Sequence, residues 1–209
     1  MDRRTTIKWV LAASTVLPSL GGRSSRAESQ PPLNVQGYGT DPDLLKSYRP
    51  GDLWPLTFTE AQRRTASSLS DLILPADAHS PSAAALGVVE FIDEWVSAPY
   101  PTHQENRRMI LDGLAWVDAE SARLYQREFS ALTASEQRAI CDPVCDVSTP
   151  ALGLRSVAVF FRLYRDLTAG GFYSTPEGRK DLGYMGNVPL AHFDGPPAAV
   201  LALLDLDSE

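Results

Sequence analysis

The chain is poor in the residues that carry most metal and redox chemistry: its 209 residues include two cysteines, three histidines and three methionines. Cys141 and Cys145 sit in C-D-P-V-C. Their spacing is not that of a C-x-x-C redox site, and no Cys or His group stands nearby in sequence to complete a zinc set. In an oxidising compartment the two sulfurs either form a local bridge, which needs Cα atoms within roughly 7 Å, or stay as thiols. His79, His103 and His192 fall in three separate proline-flanked or loop-like stretches. No pair has helical ligand spacing, which speaks against a metal site. Also missing are a G-x-G-x-x-G after a strand, a phosphate loop, a C-x-x-C-H haem attachment and a nucleophile elbow. Ser80 beside His79 lacks the ordered third member of a hydrolase triad. Asp93 with Glu94, and Asp118 with Glu120, are close in sequence, but near neighbours on a helix point in different directions. Solvated helix faces are the expectation for them.

Long apolar runs are scarce too. The longest, Trp9 to Leu20, is broken by small or hydroxyl residues and Pro18, and it is too short to cross a bilayer, which takes about 20 apolar residues. Its context is that of an export signal: Arg3 and Arg4 precede it, and Ser25-Arg26-Ala27 offers small residues at −3 and −1 of a cleavage site. The paired arginines with Lys8 resemble a twin-arginine signal, although Thr6 replaces the usual bulky apolar residue, which leaves the ordinary secretory route open. Residues 1–27 are therefore read as a leader, with a periplasmic mature chain starting near Glu28. Its removal takes away five basic residues and one acidic one, moving the formal charge from −7 to about −11. Phosphate backbones and anionic lipid surfaces would repel such a body, so nucleic acid is not an expected partner, and nothing after Leu20 is apolar enough to span a membrane.

Strand-like alternation of useful length is absent, and what is present is helical. Residues 28–56 hold five prolines and three glycines without amphipathic period, an extended arm whose Tyr38, Leu44, Leu45, Tyr48, Leu53 and Trp54 argue that parts of it lie against a surface, the chain's own or a partner's. Thr59 with Gln62 forms a capping box for a helix through Leu69, Leu72 and Ile73, ended by Pro75. Val88, Phe91, Ile92, Trp95 and Val96 give the next stripe, closed by Pro99 and Pro101. From Thr102 to Leu132 the core positions are Ile110, Leu114, Val117, Leu124 and Phe129, with Gly113 and D-A-E-S as possible division points. A second box, Thr133 with Glu136, opens a short helix through Ile140, ended by Pro143. The central helix is expected to start at Thr149 and Pro150, to bury Val157, Phe160, Phe161, Tyr164 and Leu167 with Arg155, Arg162, Arg165 and Asp166 elsewhere, and to stop at Gly170 and Gly171. The fold class is all-α, an irregular bundle of about five or six helices over residues 57–209, with an irregular C-terminal tail.

That tail, Phe172 to Asn187, shows no period and is rich in aromatics. Phe172, Tyr173, Tyr184, Met185 and Asn187 are its candidate partner-binding residues, since aromatic and Met side chains are enriched at interface cores; the alternative is a tail that folds back and caps its own domain.

In order along the chain come F-T-E-A-Q-R, L-S-D-L-I-L-P-A-D-A-H-S-P-S-A-A-A-L-G-V-V-E-F-I-D, G-L-A-W-V-D-A-E-S, F-F-R-L-Y-R-D-L-T-A-G-G-F-Y-S-T-P-E-G and L-G-Y-M-G-N. Together these resemble the gluconate 2-dehydrogenase subunit 3 family, the small gamma subunits of bacterial periplasmic dehydrogenase complexes, over roughly Thr57 to Gly195. The resemblance implies a large flavin subunit of the glucose/methanol/choline oxidoreductase type that carries FAD and oxidises a sugar or polyol, with a cytochrome c subunit as a further partner. It implies that the small subunit holds no cofactor, has no catalytic residue, and assists folding, export or assembly. The rival class is a stand-alone periplasmic enzyme or metal binder using the histidines and acidic residues.

Overall fold

The computed structural model describes residues 48–184 and, beyond them, Gly186, His192, Gly195, Pro196 and Leu201. The expected leader with Arg3 and Arg4, the arm up to Ser47, Met185 and Asn187 lie outside the described residues.

Among the described residues there are six α-helices and no strand: α1 (Glu60–Ile73), α2 (Val88–Ser97), α3 (Pro101–Tyr125), α4 (Ala134–Cys141), α5 (Arg155–Ser174) and α6 (Pro176–Asp181). None is long and apolar enough to cross a membrane. Both capping boxes form, Thr59 with Gln62 and Thr133 with Glu136, each side chain satisfying a backbone N–H of the other's residue. Pro101 does not close α2 but opens α3, at the first helical position, where its missing N–H costs nothing. α3 runs unbroken for 25 residues. Gly113 is no division point: a Cβ there would stand 2.1 Å from the Phe160 ring, so the glycine lets α5 approach α3 closely. Leu124, expected in the core, is 45% exposed. It lies beyond the last buried turn of α3, where the Ser121 hydroxyl donates to the Arg127 carbonyl at 2.7 Å.

The central helix packs against α1, α2, α3 and α6, but its ends differ from expectation. Thr149 does not cap it. Its hydroxyl donates to Asp146 Oδ2 at 2.8 Å, part of a knot in which Asp146 also accepts from the Ser148 hydroxyl and N–H. Those bonds, the Ser148 hydroxyl foremost, hold the Asp146 carboxyl down to about 2. Gly153 at φ 80° then turns the chain, and the helix begins at Arg155. Nor do Gly170 and Gly171 stop it. A Cβ at Gly171 would meet Phe91 at 2.7 Å and Val88 at 3.2 Å, so the residue is a contact point for α2, and burial of Phe172 carries the helix on to Ser174. Phe160, Phe161, Tyr164 and Leu167 are buried as expected, while Val157 is partly buried. Tyr164 is fully buried, its hydroxyl donating to the Ala66 carbonyl at 2.8 Å and sharing a hydrogen bond with Ser70 Oγ at 2.9 Å. A buried phenol without partners would be costly. Arg165 was expected away from the core, yet only 5% of its side chain is exposed; its stem is buried and its guanidinium donates to the solvent-facing Asp166 carboxylate.

Candidate partner interface

The segment after the central helix is partly ordered into structure that its sequence conceals. Thr175 links two helices: its hydroxyl donates to the Phe172 carbonyl at 2.7 Å and accepts from the Gly178 N–H at 3.0 Å, capping α6. Pro176 occupies the first position of that helix. Gly178 is required by closeness, because a Cβ there would lie 2.0 Å from the Phe172 carbonyl oxygen. α6 is thereby tucked against the end of α5, where the periodicity gives no signal for it.

This arrangement divides the residues predicted to meet a partner. Phe172 is fully buried and forms an edge contact with Tyr173 at 5.1 Å between ring centroids, so it anchors the segment and presents no surface. Tyr173 is partly buried against the core. Tyr184 is 53% exposed, held at the end of α6 by its N–H to the Arg179 carbonyl at 2.9 Å. Two residues before it the structure adds Leu182, 58% exposed, which the aromatic count passed over. Exposed apolar side chains are the usual material of a docking patch.

The arm before α1 is fixed by a device that the sequence does not advertise. Asp93 was expected on a solvated face and is instead fully buried. Its Oδ1 accepts from the backbone N–H groups of Thr57 at 2.8 Å and Phe58 at 3.0 Å, and its Oδ2 pairs with Arg63 at 2.5 Å. Glu94 continues the seam: its carboxylate accepts from the Gly51 N–H at 2.8 Å and its carbonyl from the Trp54 indole at 3.2 Å. Trp54 is buried, as the arm's composition suggested. Two adjacent acids thus hold the described end of the arm, from Gly51 to Phe58, onto α2, each pointing a different way, as helical neighbours must.

The remaining titratable groups are scattered. His79 and His192 are exposed, and His103 packs at a tilt against Trp95, 4.3 Å between ring centroids, where burial lowers its pKa. Among the described residues no group of three or more His, Cys, Asp or Glu side chains is placed to hold a metal ion. Cys141 and Cys145 are both free thiols, and burial pushes the pKa of each upward. Asp118 and Glu120 are not simply solvated: Asp118 is half-buried and receives the Thr65 hydroxyl at 2.8 Å, and Glu120 pairs with Arg123.

Comparison with known proteins gives one finding. The family model described as gluconate 2-dehydrogenase subunit 3 matches residues 60–195, from the first residue of α1 into the segment beyond α6. Neither the curated proteins nor the solved structures gave a match. The matched span contains all six helices and most of the chain, and this protein belongs to the gluconate 2-dehydrogenase subunit 3 family.

Proposed function

We propose that this chain is the non-catalytic small subunit of a periplasmic sugar or polyol dehydrogenase complex, assisting the folding, export or assembly of a large flavin-containing subunit. Family membership over residues 60–195 carries this reading. The exposed Leu182 and Tyr184 side chains support it, because exposed apolar groups are material for a contact with another protein. The leader supports export, by the twin-arginine route if Arg3 and Arg4 are read as a pair. In this reading FAD belongs to the large subunit, which is of the glucose/methanol/choline oxidoreductase type, and a cytochrome c subunit accepts its electrons.

The test is capture of the tagged chain from its native periplasm. A yellow, flavin-absorbing large subunit should come with it, and dehydrogenase activity should follow the complex. A chain that emerges alone, with a cofactor spectrum and turnover of its own, would overturn the reading in favour of a stand-alone enzyme.

A further inference from the structure

A groove of about 640 Å³ runs between the first half of α3 and the first turns of α5. Met109 and Trp116 line it from α3, Val157 and Val159 from α5, all four partly exposed. The buried Phe160 ring, admitted by Gly113, closes its floor. Trp and Met are among the side chains enriched where proteins meet. Four residues before Ser156, which also lines the groove, stands Leu152, fully exposed and the most exposed of the large apolar side chains among the described residues. Its backbone is fixed. Leu152 is the second residue of a turn closed by the Leu154 N–H on the Ala151 carbonyl at 3.0 Å, and Gly153 at φ 80° supplies the positive φ that the third position of a type II turn takes. The Ala151 N–H ties that turn to the Pro143 carbonyl at 3.3 Å. The chain thus holds out an apolar knob beside an apolar socket that the knob does not itself fill.

The two rims of the groove differ in charge. On α3, Arg108 follows Glu105 by three residues and precedes Asp112 by four, the spacings at which helical ion pairs form, yet no ion pair among the described residues joins any of the three. That rim is net negative. On α5, Arg155 and Arg162 stand four residues before and three after Val159, so they share its face, and both are exposed without an ion pair among the described residues. That rim is positive. Charges so divided favour neither a lone cation nor a lone anion; they fit a surface bearing the same two rims in the opposite order. A second copy of this chain, turned about a two-fold axis, presents that surface. In such an isologous contact each pairing occurs twice, so acidic rim meets basic rim on both sides and each knob reaches the other copy's socket.

We propose that two copies of this chain associate through this face, Leu152 of each seated in the Met109–Val159 groove of the other, with Glu105 and Asp112 of each facing Arg155 and Arg162 of the other. The inference is independent of the assembly reading above, since it concerns the small subunit by itself. One turn and parts of two helices per copy make a contact smaller than that of an obligate dimer, so the association is reversible, with a Kd of about 10 µM.

Analytical ultracentrifugation of the purified protein, up to about 200 µM, decides it. A reversible monomer–dimer equilibrium is expected, and a monomer at every concentration overturns the proposal. Leu152→Ala removes the knob and Val159→Glu blocks the socket; each should raise the dimer Kd at least fivefold and leave the melting temperature near that of wild type, because both positions are at least partly exposed. A smaller change with Leu152→Ala places the dimer contact elsewhere and overturns this face. An equimolar mixture of the two variants should dimerise more strongly than either alone, since the intact knob of one meets the intact socket of the other. Loss of fold gives no such recovery, and a mixture no stronger than its components overturns the two-fold arrangement. If Val159→Glu fails to fold, the Leu152→Ala comparison still decides the face. A monomeric chain whose Leu152→Ala variant releases the large subunit would assign the face to that partner and overturn the second copy, while leaving the assembly reading intact.

Discussion

Two aspartates show how differently one residue type can be used in this molecule. Asp93 is stabilising because its charge is met from two sides, by two backbone N–H donors on Oδ1 and by the Arg63 guanidinium near Oδ2. Removing one partner of a buried ion pair typically costs about 3 to 5 kcal/mol, because the other is left uncompensated. Arg63 keeps 28% of its side chain exposed and can recover some hydration, which points to the lower end, about 3 kcal/mol. Asp93→Ala should therefore lower the denaturation midpoint clearly and make the Trp54 fluorescence more solvent-exposed; a stable variant with unchanged Trp54 emission would show that the arm is held by other means. Asp118 has the opposite sign. Its folded-state pKa is raised, so the folded chain binds the proton more tightly than the unfolded chain, and ionisation costs stability at neutral pH. That cost is relieved as pH falls through the raised value, and is gone below the ordinary aspartate range near 4. Asp118→Asn should accordingly melt at or above wild type at pH 7, with the difference closing in acid. A variant that melts lower at pH 7 and converges nowhere would contradict this.

At the scale of elements, contact distances rather than propensities settle where the helices run. Gly113 and Gly171 both sit inside long helices, where glycine costs about 1 kcal/mol relative to alanine. The chain keeps them because α3, α5 and α2 approach one another at those points, the Phe160 ring lying where a Gly113 Cβ would be. Gly113→Ala should gain helix propensity and still lose stability, by roughly 1 to 3 kcal/mol from forced repacking. Thermal melts with near-ultraviolet circular dichroism would check it, and a stabilised variant would mean that the Phe160 ring moves aside at no cost. The two capping boxes and the Phe160, Phe161, Tyr164 and Leu167 stripe were legible in sequence because both are local: their partners lie within a turn or two. The start and stop of α5 were not. Asp146 competes for the Thr149 hydroxyl, and the burial of Phe172 outweighs the helix-stopping tendency of two glycines.

For the whole molecule, the partner surface is the open question with the clearest mutational answer. The tail's aromatic residues divide between core and surface, so Phe172→Ala would test folding, whereas Leu182→Ala with Tyr184→Ala removes side chains that are more than half exposed. The double variant should melt close to wild type, since exposed substitutions usually change stability by no more than about 0.5 kcal/mol. Its capture of the large subunit should fall by tenfold or more, each lost hot spot being worth roughly 2 kcal/mol. Full retention of the partner would place the docking surface elsewhere.

By itself the sequence determined the class of this protein: all-α, few ligands for metals, and an ordered series of motifs sufficient to indicate its family. Those features are set by neighbours along the chain, where spacing and caps act directly. Only the tertiary structure decided which acids are buried, which of the tail's aromatics face solvent, and that the Thr65 hydroxyl meets the Asp118 carboxylate. The reason is physical: desolvation and charge compensation depend on what other helices bring alongside, and Asp93 meets Thr57 from 36 residues away while Asp118 meets Thr65 across 53. Separations of that length carry no periodic signal in the chain, so the roles of these residues emerge only once α1, α2 and α3 are packed together.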